Sequence, residues 1–170
     1  MTTIQKKSVK VGKYVDTAHV DTVIRNYKKE RWVHNSERIG KEDSLSVWYS
    51  VEELEDFIDK IKMHGADGIK FYFAAYSQEF APKPEYADRQ TVVLVATKSN
   101  PTEAGAANRD IYVTKDNGST SILAYNVGSI CPPYCSGGTK PIGTGDGEGD
   151  DWGGIGITLI DRGEKGTIIV

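Results

Sequence analysis

The chain reads as an α+β protein: a single domain over residues 1–170, with a mixed β-sheet of four to six strands and two main helices packed on it. Three observations lead there. Two stretches, near 17–31 and 51–64, repeat apolar residues at helical spacing. The runs 68–76 and 91–97 are short, apolar and rich in aromatic or β-branched residues, as strands are. No internal repeat or second periodic unit divides the 170 residues, a length that can bury a core of its own. The core is expected over 15–97, and a Gly/Pro-rich loop segment over 128–154.

The first helix starts near Asp16 and Thr17, either of which can accept a hydrogen bond from an early backbone N–H. Val20, Val23, Ile24 and Tyr27 share one stripe, and Arg25, Lys28, Lys29 and Arg31 place cations toward the end that the helix dipole makes negative. Trp32 anchors that end, and the polar residues 33–43 read as a loop. From Ser44 to Tyr49, Leu45, Val47 and Tyr49 alternate with Ser44, Ser46 and Trp48, the period of a half-buried strand. Ser50 caps the second helix, and Glu53 completes a capping box three residues on. Val51, Leu54, Phe57, Ile58 and Ile61 form its apolar stripe, and Gly65 ends it in a left-handed turn.

Gly68 opens a strand through Tyr76 whose aromatics on both faces predict a central, doubly covered position. After a loop with Pro82 and Pro84, Thr91–Thr97 predicts a second interior strand. Pro101–Asn108 reads as a helical turn. Ile111–Thr114 and Ser121–Tyr125 flank Asp116-Asn117-Gly118, a hairpin signal because Asn-Gly accepts positive φ. Gly154–Ile160 and Thr167–Val170 read as a last hairpin around Arg162-Gly163.

Several of these segments carry a resemblance. The run Val15–Tyr27 with Ile24-Arg25-Asn26-Tyr27-Lys28, the unit Val47–Leu54, the strand Asp67–Tyr76 and the run Thr91–Val95 resemble uncharacterised proteins of Bacteroidetes-type bacteria. In that family a helix precedes a strand–helix–strand unit whose last strand reads like Gly-Ile-Arg-Ile-Tyr-Phe. The element Cys131-Pro132-Pro133-Tyr134-Cys135 is similar to one such proteins carry. Lys70 stands where the family pattern has Arg, which keeps the charge and loses bidentate carboxylate contact. The resemblance brings no assigned activity and so transfers no functional residue. An immunity- or defence-associated role would fit a small bacterial protein of this type.

Composition narrows the function classes. With 21 Lys and Arg against 24 Asp and Glu, the net charge is −3, which argues against a general nucleic-acid binder. Bases crowd residues 1–31 and acids crowd 42–59. Mutual compensation over a folded surface is the plain reading, and a basic face for an acidic partner the sharper one. Met1–Thr17 lacks the apolar run of a signal peptide, and nowhere do about 18 apolar residues follow one another. A cytoplasmic protein with no membrane partner is expected.

The candidate chemistry is sparse. Cys131 and Cys135 are the only two cysteines, and their spacing is neither that of thiol oxidoreductases nor that of common zinc half-sites. A structural thiol pair or a local disulfide is the expected role, although a reducing cytoplasm would tend to open such a bond. A metal would need further ligands from His19, His34 or His64. His64 is better placed to cap its helix, leaving Cys131, Cys135 and His64 as weak metal candidates. Asp146, Glu148, Asp150 and Asp151 alternate with glycines like the opening of a calcium loop. However, Asp151 and Ile157 stand where an EF-hand requires Gly and Glu. With Trp152, these four residues form a candidate interaction loop instead. No dinucleotide fingerprint or P-loop is present, so no cofactor is expected, and neither a nucleophile elbow nor a zincin helix appears. Tyr72 and Tyr76 share a strand face with Lys70, but the order needed for an RNA-stacking platform is missing, and core packing is the expected role. The resulting expectation is a non-enzymatic binding protein whose partner is a protein, a second copy of itself or another chain. The rival is a small metal-dependent or thiol enzyme built on Cys131, Cys135 and a histidine.

Overall fold

A computed structural model describes residues 10–102, 105–135, 159–161 and 167–169. It has the expected α+β fold, and every strand pairing among the described residues is antiparallel.

Helix α1 (Thr17–Tyr27) is capped by Asp16, whose side chain accepts from the His19 N–H at 2.8 Å. The chain does not leave the helix at Trp32. A π-helical stretch, Lys28–Trp32, leads into α2 (Val33–Ile39), which ends where Gly40 takes up φ 68°. The loop expected over 33–43 is therefore mostly helix: Val33-His34-Asn35-Ser36-Glu37-Arg38-Ile39 shows no apolar stripe, and its stop signal is Gly40. No residue of α1 or α2 is buried. The first helical run is instead tethered at its inner side. The Tyr27 hydroxyl donates to the Gln90 side chain, Trp32 Nε1–H to the Asp43 carbonyl at 2.8 Å, and the Asp43 N–H to Ser36 Oγ at 2.9 Å.

Helix α3 (Val51–Met63) carries the complete capping box, with the Glu53 N–H donating to Ser50 Oγ and the Ser50 N–H to Glu53 Oε2. It buries Phe57 and Ile61 against Leu94, Ala96 and Leu123, with Tyr49, Leu54, Ile69, Val92 and Tyr125 around them. Val51, at the head of the predicted stripe, stays exposed.

The sheet centres on β3 (Gln90–Thr102), whose Leu94, Val95, Ala96 and Thr97 are all buried, so it is covered on both faces. On one side it pairs with β2 (Gly68–Ala75), through Gly68↔Thr97 to Ala75↔Gln90. On the other side it pairs with β4 (Gly105–Asp110) and with β7 (Ala124–Tyr125). Where it is described, the segment expected as a helical turn over 101–108 is thus strand: Pro101 and Thr102 end β3, and residues 105–108 belong to β4. Its Gly, Ala and Asn residues have little strand preference, and the long β3 supplies the template. Between β4 and β7 the chain makes the hairpin of β5 (Tyr112–Thr114) and β6 (Thr120–Ile122), turning at Asn117-Gly118 as the dipeptide predicts. Ala96 closes the base of that excursion, donating to the Leu123 carbonyl and accepting from the Ile111 N–H, each at 2.9 Å.

A second cluster gathers Tyr76, Tyr86 and Ile130, with Val47 and Phe80 beside them. Here β1 (Ser46–Trp48) pairs with β8 (Ser129–Cys131), so a strand stands at the start of the segment expected as loop over 128–154. The pair β9 (Leu159–Asp161) with β10 (Thr167–Ile169) matches the expected last hairpin where it is described. Among the described residues no helix is long and apolar enough to cross a membrane.

Candidate interaction surface

The expected centre of the sheet is in fact its edge. Strand β2 has β3 as its one strand neighbour among the described residues, and its aromatics face solvent: Phe71 is 62%, Tyr72 43% and Phe73 84% exposed. Aromatics on both faces of a strand were consistent with double coverage, but the pattern carries no information on whether a second strand lies alongside.

Cross-strand register assigns the faces. Opposed residues share a face, so Phe71 sits over Leu94 and Phe73 over Val92, on the side where Phe57 and Ile61 of α3 pack. The two phenylalanines therefore continue the apolar core outward, past the margin that α3 covers. On the opposite face stand Lys70, Tyr72 and Ala74. Lys70 Nζ meets Asp110 Oδ1 at 2.7 Å, and the Tyr72 hydroxyl donates to Asp110 Oδ2 at 3.1 Å. The Asp110 carboxyl is held below its ordinary range by the hydrogen bond from Lys70, and the Lys70 ammonium is raised by the same contact. Lys70 is thus drawn back across the sheet toward β4.

The histidines and cysteines of the sequence reading do not come together as a reactive centre. Cys131 and Cys135 are joined in a disulfide, with Cα atoms 4.7 Å apart. Both peptide bonds entering Pro132 and Pro133 are cis, and the Tyr134 hydroxyl between the cysteines donates to Glu85 Oε1. In this state neither sulfur is a thiolate, so neither is a nucleophile or a metal ligand. His64 is the exposed C-cap of α3, its N–H bonded to the Ile61 carbonyl at 3.1 Å. His19 lies exposed on α1, and His34 lies exposed on α2 with Nδ1 3.7 Å from Glu37. Among the described residues no group of three or more His, Cys, Asp or Glu side chains is placed to hold a metal ion. Asp146, Glu148, Asp150, Asp151 and Trp152 lie outside the described residues. Tyr76, expected in the core, is buried there and tilts against Phe80 and Tyr86.

A buried acid was missed from sequence. Asp43 is 3% exposed, and its Oδ1 accepts from the Gln90 N–H at 2.6 Å and the Ser44 N–H at 2.7 Å. The adjacent Ser44 hydroxyl donates to the Gln90 carbonyl. The neighbouring Arg89 guanidinium is pushed down by burial, opposed by the charges of Asp43 and Glu42, and its Nη1 is buried without a hydrogen-bond partner. These polar contacts fasten the helical N-terminal run to the start of β3. They hold structure together.

No protein-family model, curated protein or solved structure matches this chain.

Proposed function

We propose that this chain is a non-enzymatic binding protein that engages a protein partner through the edge and aromatic rim of β2. One observation carries the reading: an eight-residue strand that presents Phe71 and Phe73 to solvent, at 62% and 84% exposure, beside an edge that no strand among the described residues pairs. Native sheets guard such edges with short strands, outward charges, bulges or prolines, because an unguarded edge templates another strand. Here the strand is long, contains no proline, and its single charged residue is engaged with Asp110. β-Strand addition uses this geometry, with main-chain bonds supplying affinity and alternate side chains supplying selectivity.

The compartment enters through Cys131 and Cys135. A disulfide persists where conditions are oxidising, whereas in the cytoplasm the pair would stand as two thiols. The β2 surface depends on neither state. The test is selection of linear peptides from a random display library on the immobilised chain, with a Phe71→Asp/Phe73→Asp variant as counter-target. Peptides that bind the wild type and lose the variant are expected. Failure to enrich any peptide, or enrichment indifferent to both substitutions, contradicts the reading.

A further inference from the structure

We infer that the occupant of the β2 edge is a second copy of this chain, paired strand to strand across a two-fold axis normal to the sheet. This inference rests on the binding reading above and deepens it by naming the partner.

The ladder fixes which backbone groups point outward. In antiparallel pairs, hydrogen-bonded and non-bonded positions alternate. The Tyr76 N–H donates to the Arg89 carbonyl at 3.0 Å, one step beyond Ala75↔Gln90 in the same register. Ala96, opposite Ile69, sends both its N–H and its carbonyl away from β2, to Leu123 and Ile111. Both facts set the same phase. Lys70, Tyr72 and Ala74 face β3, and Ile69, Phe71, Phe73 and Ala75 turn their N–H and C=O groups toward the open side.

That side is complementary to itself. An axis through Tyr72 sets Phe71 opposite the partner's Phe73, and Phe73 opposite the partner's Phe71, at positions whose outward groups complete a ladder. Four exposed aromatic rings then meet on one face, an arrangement that favours cross-strand pairing. On the other face Lys70 stands opposite the partner's Ala74, so no like charges oppose each other across the junction. Lys70 is the one charged residue in Gly68–Ala75, and Asp110 already neutralises it at 2.7 Å. A second copy therefore finds matched aromatics and a matched ladder.

The test is sedimentation equilibrium of the full chain from about 1 µM to about 500 µM, the range in which small interfaces assemble. The expected mass rises from 18.7 kDa toward twice that value. Phe73→Pro removes an outward N–H and no β2–β3 hydrogen bond, so it should remain one chain throughout with a near wild-type urea midpoint. If proline disturbs folding, Phe71→Lys/Phe73→Lys places like charges opposite each other at exposed positions and should give the same single-chain mass. A wild type that stays at one chain, or a dimer that both variants leave intact, overturns the inference. A monomeric wild type that still selects peptides through Phe71 and Phe73 would overturn self-pairing alone. An intact dimer in both variants, with no peptides selected, would overturn self-pairing and the β2 binding reading together.

Discussion

The Tyr125 hydroxyl donates to Glu53 Oε1 at 3.1 Å, and the same carboxylate accepts the Ser50 N–H through Oε2 at 2.9 Å. One side chain thus ties β7 to the first turn of α3, while the Tyr125 ring stacks on Phe57 deeper in the same helix. Local capping and tertiary docking meet at Glu53. Replacing Ser50 by Ala leaves the Glu53 N–H without its cap and should cost about 1 kcal/mol in urea unfolding, with an unchanged m value.

The same carboxylate makes a pH prediction. Hydrogen bonds from the Ser50 backbone, the Ser50 hydroxyl and Tyr125 hold Glu53 below its ordinary value. A group whose folded value is lowered contributes stability that is complete above its unfolded value. That contribution is lost as pH falls through the folded one. Glu53→Gln keeps an acceptor and removes the charge. The difference in urea midpoint between wild type and this variant should therefore be full at neutral pH and shrink progressively as pH falls below the ordinary carboxylate range.

Asp43 sets a larger effect. Its Oδ1 serves two backbone donors, Ser44 and Gln90, in a buried position, so Asp43→Ala strands both N–H groups. The expected loss is about 3 kcal/mol, and Asp43→Asn, which retains the acceptor oxygen, should recover most of it. Thermal and urea unfolding of the two variants decide the point. A loss in Asp43→Ala within about 0.5 kcal/mol of zero would contradict the assignment.

The short disulfide loop gives a separable outcome. Cys131 and Cys135 are four residues apart, a loop whose closure stabilises by about 2 kcal/mol on chain-entropy grounds. Cys131 also pairs with Ser46 in the β1–β8 ladder, and its carbonyl accepts the Leu45 N–H at 2.7 Å. Reduction should lower the urea midpoint accordingly and leave binding at β2 unchanged. Loss of binding on reduction would place the cysteines in the functional surface after all.

What the sequence made legible follows from the range of the interactions involved. The Ser50/Glu53 box, the Asn117-Gly118 turn and the continuous run through Leu94 and Val95 are local signals, and each element lies where those residues predict it. Helix α2 was illegible because its residues form no apolar stripe, and it extends α1 through a π-helical stretch that no local pattern announces. Strand β4 was illegible because its pairing to β3 overrides weak preference in Gly105–Asp110. Asp43 looked like one more loop acid because its partner Gln90 is 47 residues away. The candidate surface was hidden for a related reason: Phe71 and Phe73 read as core, and only the strand order shows that nothing described lies beyond them. A signal was present in the single Lys70 within an otherwise apolar strand, a common mark of an edge.

The central claim is that the outer side of β2 is unpaired in the isolated chain. Residue-resolved amide hydrogen exchange on a dilute sample reads this directly. The account predicts an alternating pattern, with the amides of Lys70, Tyr72 and Ala74 protected by β3 while those of Phe71 and Phe73 exchange rapidly. Equal, strong protection of all five amides at the lowest concentration would mean that the edge is already covered within one chain, and would contradict it.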